Sequence, residues 1–284
     1  MSLTKVSFSM INGATVNVLD YGAGSGGADV STQIQSAITA VNAAGGGTVY
    51  IPVGTYKVQN TITLLSNVII RGEGKASSIV VNSATAFDVF SKTSGTLQNA
   101  AIIGIGFDGS LNYPADSKTY KQTYTLLNAA IYTTSATVDG LTIENCYFQS
   151  MSEASIDIYG DSNKNIFIRN NYLYKGSYVA QALRVRSGTT SPTEAQRPLN
   201  IVITGNTVDT CGPQYYWNAS KEDWTASADG IQVKGVKNAL ISGNTVNNTA
   251  AEGIRIERSI NVAVTNNNVY DAGQNGIICY VSYY

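Results

Sequence analysis

The chemistry open to this chain is narrowed by a missing residue type, because its 284 residues include no histidine. Imidazole triads, imidazole bases and histidine metal ligation are thereby excluded. Proton transfer falls to carboxylates, lysine, arginine or tyrosine. Two carboxylates stand out by spacing: Asp229 and Glu252 each precede a glycine and lie 23 residues apart, with Asn275 at the third equivalent position. Stacked one repeat above the other, they can share a proton, one pKa rising into the range of a general acid. Glycoside hydrolysis asks for two carboxyls, about 5–5.5 Å apart for retention or about 6.5–9.5 Å for inversion. Asp157, two repeats earlier and roughly 10 Å from Asp229 by strand spacing, completes the candidate catalytic set. A carboxylate before a turn glycine can equally cap backbone N–H groups, a use that Asn275 supports.

A second concentration of chemistry lies in strand-like runs, where alternate residues point to one side. One outward column contains Tyr132, Asp157, Arg184, Gln232, Arg255 and Ile278; the next contains Thr134, Tyr159, Arg186, Lys234, Glu257 and Tyr280. In a chain only 13% charged, this clustering is either a solvated face with cross-strand ion pairs or a polysaccharide groove. In the second case Arg184, Arg186, Lys234, Arg255, Glu257 and Tyr159 contact the substrate. Trp217 and Trp224, with Tyr215 and Tyr216, sit in a flanking insertion, and Tyr113, Tyr120 and Tyr124 in an earlier one. Such rings stack on sugars or pack under their own loops. The competing chemistry is β-elimination, with Arg184, Arg186, Lys234 and Arg255 neutralising a uronate while Lys, Arg or Tyr moves the proton.

The elements that position these residues are repeats. Gly230-Ile-Gln-Val-Lys234 recurs as Gly253-Ile-Arg-Ile-Glu257 and as Gly276-Ile-Ile-Cys-Tyr280, in steps of 23 residues. A second strand motif follows, bringing Asn171, Asn206, Asn244 and Asn267 into one column once insertions are placed at the turns. Stacked asparagines bond the next coil and tolerate left-handed backbone. Two strands per coil are legible, and the alternation predicts an all-β, right-handed parallel β-helix. In its second strand the outward column Thr142, Phe167, Val202, Leu240 and Ala263 forms an apolar stripe, which points to an interface.

Upstream the texture changes. Val16-Asn17-Val18-Leu19-Asp20-Tyr21-Gly22-Ala23 precedes a glycine-rich turn, then Ile34, Ala37, Ile38 and Val41 mark a helix over 31–44 with Ser31 as N-cap. Gly45-Gly46-Gly47-Thr48-Val49-Tyr50-Ile51-Pro52 and Ile70-Arg71-Gly72-Glu73-Gly74 follow. This segment resembles the N-terminal signature of the pectate-lyase superfamily, which implies a short helix capping the open end of the β-helix. The leader Val6-Ser7-Phe8-Ser9-Met10-Ile11 before Val16 looks like that of bacteriophage tailspikes of this superfamily. That resemblance implies a parallel homotrimer on the virion tail, acting on bacterial surface polysaccharide. It also includes lyases, hydrolases and epimerases and does not choose among them, although a histidine-dependent epimerase has no histidine to use here.

The remaining expectations are boundaries and exclusions. The organisation reads as a leader at 1–15, a cap with first coils at 16–74, and coils from 75–284 that stop part way through a turn of the helix, as in a truncated piece or an end that partner subunits cover. Formal net charge is −1, which gives no field for nucleic acid. Cys146, Cys211 and Cys279 have no metal-ligand spacing, no cofactor is expected, and calcium enters only for a lyase. The opening residues lack the apolar core of a signal peptide, and no run is long enough for membrane insertion. The reading is a depolymerase, with endo-hydrolysis ahead of a lyase; the rival from another class is a non-catalytic glycan-binding or structural tail protein.

Overall fold

The structure, a computed structural model, describes residues 13–81, 83, 85–110, 129–177, 180–212, 216–218, 223–225 and 228–280. Among them parallel strands stack coil upon coil. An eight-stranded sheet runs from Ile62–Thr63 through Phe90–Lys92, Ile131–Thr133, Ile156–Tyr159, Leu183–Arg186, Ile231–Lys234 and Ile254–Glu257 to Ile277–Tyr280. A fifteen-stranded sheet bends through the long strand Gly95–Asp108, so its two arms supply the other two faces of the helix. Each coil thus has three strands, where the sequence pattern showed two. The third, as in Thr245–Thr249, buries Val246 and Thr249 among polar neighbours and leaves little hydrophobic signal.

Alternation fills the core. Ile156, Ile158, Ile166, Ile168 and Leu173 of one coil are fully buried, and so are their successors Leu183, Val185, Ile201, Ile203 and Val208. Burying each such side chain contributes about 1.5–3 kcal/mol. Rings stack along the axis too, with Phe107 and Phe148 parallel at 4.9 Å. The second-strand column Phe167, Val202, Leu240 and Ala263 faces outward, with Leu240 38% exposed.

Register is held at a turn by the asparagine ladder. Asn206 donates from Nδ2 to Ile168 O at 2.9 Å and to Asn244 Oδ1 at 3.0 Å, while its own Oδ1 accepts from Asn171 N and Nδ2. Asn171, Asn244 and Asn267 repeat the pattern. At a second turn Asn165, Asn200, Asn238 and Asn261 adopt positive φ and are linked in pairs, Asn200 to Asn165 and Asn261 to Asn238. The repeated glycine before the groove strand has its own cause: a Cβ on Gly253 would lie 2.2 Å from Val269 Cγ1 and 2.6 Å from Gly276 O.

At the N-terminal end the helix Ser31–Ala43 buries Ile34, Ala37, Ile38 and Val41 against the first coil. Its N-cap is Val30, one residue before the expected Ser31, and Asp29 supplies the capping oxygen. Asp29 Oδ1 accepts Ser31 N at 3.0 Å and Gln59 N at 3.1 Å, so one carboxylate joins helix to coil. This ties the first coil's edge down where unpaired groups would otherwise invite another strand.

The ladder makes a quantitative statement. Asn206→Ala strips partners from the buried Ile168 carbonyl and Asn171 N–H, and unfolding stability should fall by ~2–4 kcal/mol, read as a lower urea midpoint.

Candidate active site

The parallel register sets the site. Asp157 pairs with Arg184, Arg184 with Gln232 and Gln232 with Arg255; Tyr159, Arg186, Lys234 and Glu257 pair in the neighbouring column. The insertions at 187–198 and 212–228 therefore leave the columns unbroken. Asp229 and Glu252 stand two residues upstream of Ile231 and Ile254, which are themselves register partners. The close approach enforced at Gly230 and Gly253 brings the two acids together.

Asp229 and Glu252 are almost fully buried, at 1% and 2% exposure. Burial pushes the Asp229 carboxyl up to about 7, helped by a hydrogen bond to the Glu252 side chain and by that group's charge, with Arg255 opposing. The anticipated capping bond is present: Asp229 Oδ1 accepts Glu252 N of the next coil at 3.3 Å, while Oδ2 accepts Gln181 Nε2 and Gln232 Nε2 at 3.3 Å. Tyr280 donates its hydroxyl to Glu252 Oε1 at 3.3 Å and lies against the Arg255 guanidinium at 4.8 Å.

Asp157 is placed differently. It is buried beneath two guanidinium groups, 2.7 Å from Arg184 Nη2 and 2.9 Å from Arg186 Nη2, with Arg186 Nε at 3.2 Å. Removing one partner of such a buried cluster costs about 3–5 kcal/mol, so Asp157 orients the arginines. Above it, Glu257 gathers Lys234 at 3.0 Å and Arg255 at 3.2 Å. Arg186 also lies over Tyr159 at 4.0 Å. These residues line an open cavity of about 310 Å³ that includes Gln181, Gln232 and the loop Ser187–Thr190. Two buried donors of these side chains, Arg184 Nε and Arg255 Nε, have no hydrogen-bond partner among the described residues.

The structure thus brings Arg184, Arg186, Lys234, Arg255, Glu257 and Tyr159 around one cavity, with Asp157 beneath and the Asp229–Glu252 pair reached through Gln181, Gln232 and Arg255. Trp217 and Trp224 are backbone partners in an antiparallel hairpin, and their side chains lie outside the described residues, as do Tyr113, Tyr120, Tyr124 and Tyr215. Sequence reasoning missed Asp88, whose carboxyl burial raises to about 6, and which accepts Ala129 N at 3.2 Å. Its signal was available, since Asp88 precedes Phe90 as Asp229 precedes Ile231, in strands of one sheet. It also missed Asp161, which takes hydrogen bonds from Thr189 N at 3.1 Å and Oγ1 at 2.8 Å and so anchors the cavity loop.

The raised Asp229 pKa has a thermodynamic consequence. Between its ordinary value of 3.8 and about 7 the folded chain holds a proton that the unfolded chain has released. Stability should therefore fall as pH rises through this window. Asp229→Asn should remove that part of the slope, measured as urea midpoints between pH 4.5 and 8.

Residues 15–278 match the family model for rhamnogalacturonase A/epimerase, pectate lyase-like proteins. Mannuronan C5-epimerase AlgE3 of Azotobacter vinelandii is 44% identical over 72 residues, 22% of this chain and 4% of that protein. Rhamnogalacturonase A of Aspergillus aculeatus is 38% identical over 105 residues, 33% of this chain and 22% of that protein. The chain therefore spans a small part of these curated relatives, which are named as polysaccharide-modifying enzymes. Among solved structures, DFA-IIIase of Arthrobacter chlorophenolicus A6 aligns with TM-score 0.64 at 16% identity, over 90% of this chain and 64% of that one. ORF18 of Geobacillus virus E2 aligns with TM-score 0.52 at 16% identity, over 93% and 60%. Those two likenesses concern the fold alone. The chain belongs to the pectate-lyase-like family of rhamnogalacturonase A and epimerases.

Proposed function

We propose that this chain binds a bacterial surface polysaccharide along the groove and cleaves it internally by hydrolysis, with Asp229–Glu252 as the proton-handling unit. The observation that carries this reading is a carboxyl that burial holds up to about 7, that interacts with a second carboxyl on the next coil, and that is linked to the cavity through Gln232 and Arg255. Near neutral pH such a unit holds one proton. Transfer of that proton to the glycosidic oxygen lets the leaving sugar depart as an alcohol. The carboxylate left behind accepts a proton from the water that attacks the sugar cation, and the unit returns to its starting state.

The cavity favours acidic sugars. Arg184, Arg186, Lys234 and Arg255 line it against one carboxylate, Glu257, a cationic lining that suits a uronate carboxylate. The same four cations support a second reading, β-elimination, in which an ultraviolet-absorbing unsaturated end appears. Calcium belongs only to that reading. The setting we infer is a phage tail, on the resemblance carried by the leader Val6 to Ile11, with trimer packing through the outward stripe of Phe167, Val202 and Leu240.

The test is the molecular mass of a panel of capsular and O-antigen polysaccharides, with mannuronan and rhamnogalacturonan added, after incubation with the protein. Shortening without ultraviolet absorbance is expected, and Asp229→Asn or Glu252→Gln should slow it about 10²–10⁴-fold while polymer binding persists. Shortening that survives both substitutions removes the pair from the reaction. No shortening of any polymer by folded protein favours a binding or structural role.

A further inference from the structure

The chain's tyrosines, 18 against 6 phenylalanines, are only partly used by the groove. Several lie on a different face, formed by the third strands of the coils. Strand Tyr172–Tyr174 turns both tyrosines outward, 38% and 36% exposed, with Leu173 in the core between them. Tyr147, its register partner one coil below, stacks on Tyr172 with ring centroids 5.5 Å apart and planes 2° from parallel. Lys75 covers the other side of Tyr147 at 4.4 Å. The stack is closed at its lower end.

Its upper end is open. The next two members of the Tyr172 column are Thr207 and Thr245, side chains too short to cover the ring. Tyr172 is held upright by its hydroxyl, which donates to Asp209 Oδ2 at 3.1 Å. Asn247 Nδ2 donates to Asp209 Oδ1 at 3.3 Å, and the buried Asn247 Oδ1 has no hydrogen-bond partner among the described residues. A flat aromatic wall thus meets a floor of two threonines, flanked by a carboxylate and a carboxamide. Tyr270 stands at the far end, 46% exposed, as the register partner of Asn247.

We infer that this shelf is a second, non-catalytic sugar-binding site. A pyranose standing on Thr207 and Thr245 puts its apolar face on Tyr172, and its hydroxyls reach Asp209. The occupant is a segment of the same polysaccharide that the groove takes, and the inference rests on that reading of the chain. The chemistry separates this face from its neighbour. The second-strand arm exposes aliphatic Ile69, Leu199, Leu240 and Ile260, which suit protein, whereas the third-strand arm exposes tyrosines among hydrogen-bonding groups. Rigid aromatics with polar tips bind sugar hydroxyls and ring faces at low entropy cost.

The test uses the full chain carrying Asp229→Asn, so that bound polymer is not consumed, on immobilised capsular polysaccharides, mannuronan and rhamnogalacturonan. Adding Tyr172→Ala with Tyr174→Ala should weaken retention of the bound polymer at least about fivefold. In the otherwise unsubstituted chain the two tyrosine changes should leave turnover of short oligosaccharides unchanged. Retention that survives the tyrosine changes but is lost with Arg184→Ala and Arg255→Ala contradicts the shelf and leaves the groove reading intact. Retention lost with the tyrosines alone supports the shelf even where no polymer is shortened. A subunit assembly that dissociates on tyrosine substitution, followed by sedimentation, would assign this face to another copy and overturn the proposal, as would failure of the unsubstituted chain to retain any of the polymers.

Discussion

Everything in this molecule depends on coils stacked in register at strand spacing, about 4.8 Å apart. The asparagine ladder enforces that register from inside, because each amide bonds both the coil below and the ladder residue above. A slip of one residue would turn every core side chain outward and leave buried amides unpaired. Residues at equivalent positions of successive repeats must therefore touch. Whatever chemistry a column holds is chemistry between neighbours.

That constraint explains the groove. Two acids placed before successive glycines are forced together and out of water, and burial with mutual repulsion keeps a proton on the pair. A carboxylate placed in a column with arginines is instead locked by them, as Asp157 is by Arg184 and Arg186. One fold rule thus gives two carboxylates opposite characters. The neighbours in the column decide what each carboxylate is bound to.

Much of this was legible because it is periodic. The 23-residue step, the asparagine column and the alternation placed Arg184, Gln232 and Arg255 in line across two insertions, as their pairing shows. The capping helix declared itself through Ile34, Ala37, Ile38 and Val41. What escaped depends on polar detail that carries no period. The third strand hides because it is short and carries few core aliphatics, as in Tyr172–Tyr174 and Thr245–Thr249, and the cap belongs to Asp29 because its carboxylate reaches both Ser31 and Gln59. The arginine fork over Asp157 is a matter of side-chain reach, which spacing does not encode. Asp88 escapes the repeat because Val89 stands where Gly230 follows Asp229.

The tyrosine face follows the same logic. A column that changes from tyrosine to threonine between coils leaves a step, and a step on a regular surface is where a ligand can stand.

The most direct measurement is a carbon-13 NMR titration of the side-chain carboxyls between pH 4 and 9. The account predicts a carboxyl resonance of Asp229 that titrates near 7 and shifts to lower pH in Glu252→Gln. An Asp229 carboxyl fully ionised by pH 5, in the folded chain, would contradict it.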